Sequence, residues 1–259
     1  MTALERVATW LRCPACHAPV QLVERVLRCE SSHAFDVAKQ GYVNLLGHAA
    51  PQHADTVDMV AARHRFLHDG WYSPIAEAVR GALSGAKTVV EVGAGTGYYV
   101  ANALQPGATG LAVDISVPAC RRAAKVDARV AAVVADTWAG LPMRDACVDA
   151  VLCVFAPRNM PEFRRVLRPG GRVCVVVPNP GHLAELRKAE GLLNIDDDKA
   201  ERVAASLEAA STRRVRFPLD LSSQAATDLV GMGPNAFHDA GVAAACQTFA
   251  DVSIVVGRP

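Results

Sequence analysis

Net charge, aromatic side chains and long apolar runs are all in short supply in this chain, and each shortage removes a class of protein. Lysine and arginine number 27 against 26 aspartates and glutamates, a formal charge of +1. A balance this even neither requires nor forbids a polyanionic partner. Uninterrupted apolar segments fall well short of the ~20 residues that cross a bilayer, so no membrane association through a spanning helix is expected. The opening MTALERVATWLRC carries Glu5 and no small-residue cleavage site, so the expectation is a cytoplasmic chain with reduced thiols. Aromatic residues make up only 5%, yet 51% of the chain is hydrophobic with no visible period, which excludes a disordered or collagen-like polymer. At 259 residues the chain can bury a sizeable core without disulfides, so its 8 cysteines call for another explanation.

Cys13-Pro14-Ala15-Cys16 is followed by Cys29 and His33, giving C-x2-C-x12-C-x3-H. Two close pairs of such ligands suit tetrahedral zinc, and four protein ligands describe a closed structural site rather than a catalytic one. His17 competes as a ligand, but the Cys29–His33 spacing pairs better. A segment of about 45 residues has too small a core to hold itself, so zinc is expected to supply much of its folding free energy. Cys120, Cys147, Cys153, Cys174 and Cys246 are scattered, mostly in apolar runs, and read as small core residues. Residues 1–46 are therefore read as a zinc-binding module set apart from the rest, such that Cys13→Ala loosens the module and spares most of the core. Residues 47–80 are read as a helical linker, loop-like at first. Its helix is expected from about Thr56 to His68, with Asp55 as N-cap and Gly70 closing it.

From Thr88 onward, short apolar runs alternate with helix-compatible segments, and residues 81–259 read as one α/β domain. The runs TVVEV (88–92), GLAVD (110–114), RVAAVVA (129–135), DAVLCVF (149–155) and RVCVVVP (172–178) are apolar throughout rather than alternating. That texture belongs to parallel strands covered on both faces. The segments Tyr98–Leu104, Pro118–Lys125 and Met160–Leu167 supply the intervening helices of a doubly wound sheet. The tail adds TRRVRFPLDL (212–221), a helix over 222–232 and CQTFADVSIVVGR (246–258), with the two strand-like runs expected as a hairpin-like edge.

Glu91-Val92-Gly93-Ala94-Gly95-Thr96-Gly97 joins the first parallel run to a helix, where glycines let backbone approach a ligand beside a helix N-terminus. Asp114 ends the next run, placed to accept from ribose hydroxyls, and Asp136 ends the third, placed for an adenine amino group. A dinucleotide fingerprint reads G-x-G-x-x-G, whereas here the third glycine comes one residue early and Tyr98 takes its place. That spacing, with Glu91 two residues before Gly93, fits S-adenosylmethionine better. Basic clusters at Arg121-Arg122-Lys125, Arg164-Arg165-Arg168 and Arg213-Arg214-Arg216 are candidate phosphate contacts or solvated faces.

At this point the chain resembles the bacterial 23S rRNA guanine-N(1)-methyltransferases of the RlmA family. The segments that carry the resemblance are CPACHAPV, LRCESSHAFDVAKQGYVNLL, DMVAARHRFLHDGWYSPI, EVGAGTGYY, VFAPRNMPEFRRVLRPGG and PNPGHLAELR, over nearly the whole length. VFAPRN and HLAELR look like the actinobacterial branch associated with tylosin resistance. The resemblance implies an N-terminal zinc module (Cys13, Cys16, Cys29, His33) joined to a class I, Rossmann-like methyltransferase domain. It implies that Gly95 and Thr96 contact S-adenosylmethionine, and that Tyr72 and His182 do too. It also implies 23S rRNA as partner, a guanine ring nitrogen in a hairpin loop as target, macrolide resistance as an outcome, and a homodimer forming one RNA cleft. Residues 1–72 depart from the expected basic character, with seven lysines and arginines against seven acidic residues.

The ring nitrogen N(1) of guanine carries a proton at neutral pH, so methylation needs its loss or stabilisation of charge on the carbonyl oxygen. Ala156-Pro157-Arg158-Asn159 follows the fourth run at the sheet's C-terminal edge, which makes Arg158 the candidate catalytic residue; no base is assigned. Rival readings are a small-molecule methyltransferase, which needs no zinc module, and a non-enzymatic zinc RNA-binding protein, which needs no glycine loop or Asp114.

Overall fold

The computed structural model describes residues 2–47, 54–192, 194–233 and 241–259. The first half of the stretch read as a loop, residues 48–53, lies outside the described residues. Helix α1 (Ala3–Val7) starts at a reciprocal cap in which the Thr2 hydroxyl accepts from the Glu5 amide and Glu5 Oε2 accepts from the Thr2 amide at 2.7 Å. A three-stranded antiparallel meander follows, β1 (Val20–Val23), β2 (Val26–Cys29) and β3 (Ala34–Asp36), after which the chain leaves it as β4 (Val43–Asn44).

Two helices come next, α2 (Val57–His68) and α3 (Ser73–Ala82). The N-cap of α2 is Thr56, whose hydroxyl accepts from the Met59 amide at 3.2 Å, and not Asp55. Asp55 is instead paired with the Arg63 guanidinium, which turns its carboxylate to Arg63 rather than to the first-turn amides. Gly70 closes α2 with a left-handed φ of 83°, as its position after the last turn requires.

The alternating region gives β5 (Thr88–Val92), α4 (Tyr98–Ala103), β6 (Thr109–Asp114), α5 (Val117–Ala123), β7 (Val130–Val134), β8 (Val148–Val154), α6 (Met160–Val166) and β9 (Leu167–Pro178). Then come α7 (Ala184–Ala189), α8 (Lys199–Ala205), β10 (Glu208–Leu221), α9 (Ser223–Gly231) and β11 (Cys246–Arg258). The main sheet has eight strands in the order β10-β11-β9-β8-β5-β6-β7-β4. It is parallel from β9 to β4, and β11 runs antiparallel to both its neighbours. The two tail strands do pair, but α9 lies between them in sequence and β11 inserts beside β9, leaving β10 as the edge.

Successive residues along these uniformly apolar strands point to opposite layers. Val89, Ala112 and Val134 join a core with Phe66 and Leu67 of α2, Ile75 and Val79 of α3, and Leu229 of α9. Val90, Leu111 and Val133 join a second core on the other face. That second core contains Trp10, Leu11, Leu27, Val43 and Leu45 from the N-terminal segment, together with Phe163 of α6. The expected separation of residues 1–46 is therefore absent. Strand β4 extends the main sheet, with Val43 opposite Val133, and Leu11 bridges Met143 while the Arg144 amide donates to the Trp10 carbonyl at 2.7 Å. Residues 47–80, expected as a helical linker, do carry helices, and α2 and α3 are packed into the first core. Among the described residues, no helix is long and apolar enough to cross a membrane.

Candidate active site and metal centre

Cys13, Cys16, Cys29 and His33 come together at two tight turns. In the first, the His17 amide donates to the Cys13 carbonyl; in the second, the Ser32 amide donates to the Cys29 carbonyl. Their ligand atoms lie within 4.8 Å of one another. His33 Nδ1 is 3.5 Å from Cys13 Sγ and 3.4 Å from Cys29 Sγ, and Cys16 Sγ is 3.7 Å from Cys29 Sγ. A tetrahedron with metal–sulfur bonds of ~2.3 Å and a metal–nitrogen bond of ~2.0–2.1 Å has edges of about 3.5–3.8 Å, close to these three separations, so the donor set suits one zinc. His17 is outside this cluster.

The C-terminal ends of β5, β6 and β7 carry the glycine loop, Asp114 and Asp136. Gly93, Gly95 and Gly97 all have positive φ (69°, 53° and 75°), which lets the loop fold back so that the amides of Gly93 and Ala94 both donate to the Val113 carbonyl. A Cβ at Gly93 would collide with that of Ala156. Asp114 braces this loop: one oxygen accepts from the Gly95 amide at 2.7 Å and the other from the Ser116 amide at 2.8 Å. Each oxygen keeps a lone pair for a ligand hydroxyl. Burial raises the Asp114 pKa, with the two amide bonds opposing it. Thr96 is buried in the loop, and Asp136, half-buried just beyond β7, accepts from the Trp138 amide at 2.8 Å. Glu91 is 1% exposed and accepts from the Val100 amide at 2.9 Å; burial pushes its carboxyl up to about 8.

An aromatic cluster of Tyr72, Phe155 and His182 lies beyond the end of β8, where Ala156 abuts Gly93. Tyr72 Oη and His182 Nε2 are 3.3 Å apart, and His182 Nδ1 accepts from the Asp251 amide at 3.1 Å. With Nδ1 accepting, the ring proton sits on Nε2 and points to Tyr72. Burial, aided by Arg187, lowers His182 to about 4, so the ring is neutral at physiological pH and both nitrogens are engaged. The backbone that fixes it is anchored by Asp251, which accepts from Arg214 Nε at 2.8 Å and Asn179 Nδ2 at 2.8 Å. Arg164-Arg165-Arg168 is mostly spent on such internal work: Arg165 bonds Glu162 and Asp145, and Arg168 bonds Asp149. Arg121, Arg122 and Lys125 are exposed.

Phe155, which motif spacing did not single out, belongs to this cluster. It is 41% exposed, its backbone is left-handed at φ 54°, and its ring lies 6.1 Å from that of Tyr72 and 5.7 Å from that of His182. A bulky residue in that conformation is held by its surroundings at an energetic cost, and such residues concentrate at functional sites. Arg158 stands half-buried three residues on, with no hydrogen bond or ion pair to the described residues, while Asn159 caps α6 and donates to the Thr137 carbonyl at 2.9 Å. Arg63 also reaches the glycine loop without a signal in spacing or periodicity. It lies on the loop at Gly95, and the buried Tyr99 hydroxyl has no partner among the described residues.

A cradle shaped by glycines, two braced aspartates and an orphaned buried donor fit a polar nucleoside cofactor, and comparison with known proteins says which. Residues 11–49 match the family model described as RlmA, N-terminal, and residues 90–175 match one for a methyltransferase domain. The 23S rRNA (guanine(748)-N(1))-methyltransferase of Streptomyces fradiae is 48% identical over 246 residues, which cover 90% of this chain and 88% of that protein. The chain belongs to the 23S rRNA (guanine-N(1)-)-methyltransferase family. A protein of Micromonospora griseorubida provisionally named for the same reaction is 45% identical, over 88% of this chain and 87% of that one. Among solved structures, the YcgJ protein of Bacillus subtilis aligns with a TM-score of 0.51 at 16% identity, over 73% of this chain and 99% of that one, a likeness of fold. This methyltransferase therefore combines a Cys3His zinc ribbon with a Rossmann-like domain that uses S-adenosylmethionine.

The buried Glu91 gives the cofactor step a pH signature. S-adenosylmethionine brings net positive charge, which favours the ionised carboxyl, so its affinity is expected to rise with pH up to about 8 and then level off. In Glu91→Gln this rise should be lost, as calorimetry from pH 6 to 9 can check; an unchanged slope would contradict it. In the free protein the sign is the reverse. With the folded pKa raised from 4.5 to about 8, the stability due to this carboxyl is complete below 4.5 and lost as pH rises through about 8.

Proposed function

We propose that this methyltransferase modifies N(1) of a guanine in a hairpin loop of 23S rRNA, the position numbered 748 in the name of the Streptomyces fradiae relative, and that the methyl group confers macrolide resistance. The observation that carries this reading is the continuity of the likeness: 48% identity extends over 90% of the chain. It therefore takes in both the zinc ribbon and the catalytic sheet. A small-molecule methyltransferase has no use for the ribbon, and a non-catalytic RNA binder has no use for the braced Asp114.

S-adenosylmethionine, when bound, supplies an electrophilic methyl group; the protein's task is to present the base and manage its charge. The guanine's Watson–Crick edge is hidden in a helix, so the base enters unstacked from a loop. Phe155 offers an exposed ring on which it can stack. Arg158, unpaired among the described residues, is placed to hold the guanine carbonyl oxygen as charge grows there when the N(1) proton leaves. His182 cannot act as the base while its Nδ1 accepts from the Asp251 amide and its Nε2 proton faces Tyr72; its role is to position Tyr72. Arg121, Arg122 and Lys125 supply phosphate contacts.

A methyl on N(1) blocks reverse transcription. Primer extension on 23S rRNA should stop at this guanine in the wild type, read through in a deletion strain, and stop again when the gene is restored. The deletion strain should also become more sensitive to a macrolide. Persistence of the stop after deletion would defeat the reading. The same reading takes the enzyme to be a cytoplasmic homodimer whose two-fold axis sets both zinc ribbons on one face of the RNA. Light scattering giving a monomer would count against the dimer alone.

A further inference from the structure

Aromatic side chains are scarce in this chain, and the fold shelters most of them. Among the described residues, the phenylalanine, tyrosine and tryptophan rings that stand exposed are those of Phe155 and Trp138, the latter at 65%. Trp10 is buried and Trp71 half-buried. A single exposed apolar residue needs no explanation. Two exposed rings on loops fastened to each other do need one.

Trp138 lies in the turn after β7, and Phe155 directly follows β8. These strands run parallel in the sheet, so both turns leave it at the same edge. Strands β5 and β6 separate them, and a hydrogen bond joins the two turns: Asn159 Nδ2 donates to the Thr137 carbonyl at 2.9 Å. The backbone is held on both sides of Trp138. Asp136 Oδ1 accepts from the Trp138 amide at 2.8 Å, and the Leu141 amide donates to Glu162 Oε2 at 2.6 Å. Glu162 is in turn paired with Arg165 of the same helix. The segment that carries the indole is therefore fixed before any partner arrives, which lowers the ordering cost of a contact made through it.

The residues around the ring indicate what it meets. The stretches Ala135–Gly140 and Ala156–Asn159 hold no other large apolar side chain, so the contiguous apolar surface at the centre of a protein–protein interface is missing. They do hold Arg158, half-buried and unpaired among the described residues. Aromatic faces beside an arginine suit stacked nucleotide bases, since every base has a π face. Phe155, with its ring close to the buried Tyr72 and His182, is the inner of the two faces.

We propose that Trp138 is a second stacking platform for the RNA, taking a base next to the target guanine while Phe155 takes the guanine itself. The inference rests on the reading of the substrate as a hairpin loop of 23S rRNA. Its test measures binding of the purified full chain to a hairpin transcript of that rRNA and, separately, to S-adenosylhomocysteine. Trp138→Ala should weaken the transcript by about five- to a hundredfold, the size of one base–aromatic stack, and leave S-adenosylhomocysteine within about twofold. Its salt dependence should match that of the wild type, because stacking releases no counterions. Trp138→Phe, which keeps a ring, should retain most of the affinity. Abasic sites placed in turn at the loop nucleotides should reveal one neighbour of the guanine whose loss weakens the wild type and adds nothing in Trp138→Ala. Unchanged RNA affinity in Trp138→Ala, additive losses at every abasic position, or an equal loss for S-adenosylhomocysteine would overturn the proposal. A wild-type protein that bound S-adenosylhomocysteine but not the transcript would instead overturn the reading of the substrate.

Discussion

Replacing Cys13 with alanine should lower the melting temperature of the whole molecule by about 10 °C, in one transition. Structural zinc in small domains contributes on the order of 10 kcal/mol to folding, and losing one of four ligands forfeits several of these. In a self-contained module that loss would stay local. Here Cys13 and Cys29 are buried in the core that holds Trp10 and Leu11 against Val90, Leu111 and Val133 of the catalytic sheet. Strand β4 is also part of that sheet. About 4 kcal/mol in a cooperative unit of this size corresponds to roughly 8–16 °C. Calorimetry with zinc analysis of the same sample checks it, and treatment with a chelator should act in the same direction. Two transitions, the larger one unmoved, would show that the ribbon folds independently.

The second large effect belongs to Asp114. We propose that Asp114 accepts from both ribose hydroxyls; Asp114→Asn should then weaken S-adenosylmethionine by at least about a hundredfold, because two such charge-assisted bonds are each worth roughly 1.5–3 kcal/mol. The substitution also sets an amide NH2 against the Gly95 or Ser116 amide, which the carboxylate accepts at 2.7 and 2.8 Å, so the glycine loop loses a brace as well. Asp136→Asn, at the rim and tied only to the local turn at Trp138, should cost about tenfold or less. Titration calorimetry on both variants separates the two roles; an Asp114→Asn protein with wild-type affinity would contradict the ribose assignment.

Much of this molecule could be read from its residues because the relevant physics is local. A strand covered on both faces is mostly apolar rather than alternating, which is why TVVEV marks β5 to the residue. Zinc ligands at turns obey fixed spacing, so C-x2-C-x12-C-x3-H announced the cluster at the front. What stayed hidden is what depends on distant pairing. Val43–Asn44 is too short to register as a strand, yet it extends the main sheet with the N-terminal segment. Asp55 looks like an N-cap until Arg63, two turns along the helix, claims it. Phe155 looks like the last residue of an apolar run, and nothing in that run reveals a left-handed backbone or an exposed ring. Tyr72 and His182 carry no motif of their own; they were reached through family resemblance, and their hydrogen bond spans 110 residues of sequence.

The most direct test of the central claim is mass spectrometry of RNase fragments from a 23S rRNA transcript incubated with the purified enzyme and S-adenosylmethionine. The account predicts a gain of one methyl group (about 14 Da) on a single hairpin-loop guanine, with nucleoside digestion yielding 1-methylguanosine, and no gain with Asp114→Asn. An unmethylated transcript, or a methyl on another base or on a ribose, would contradict it.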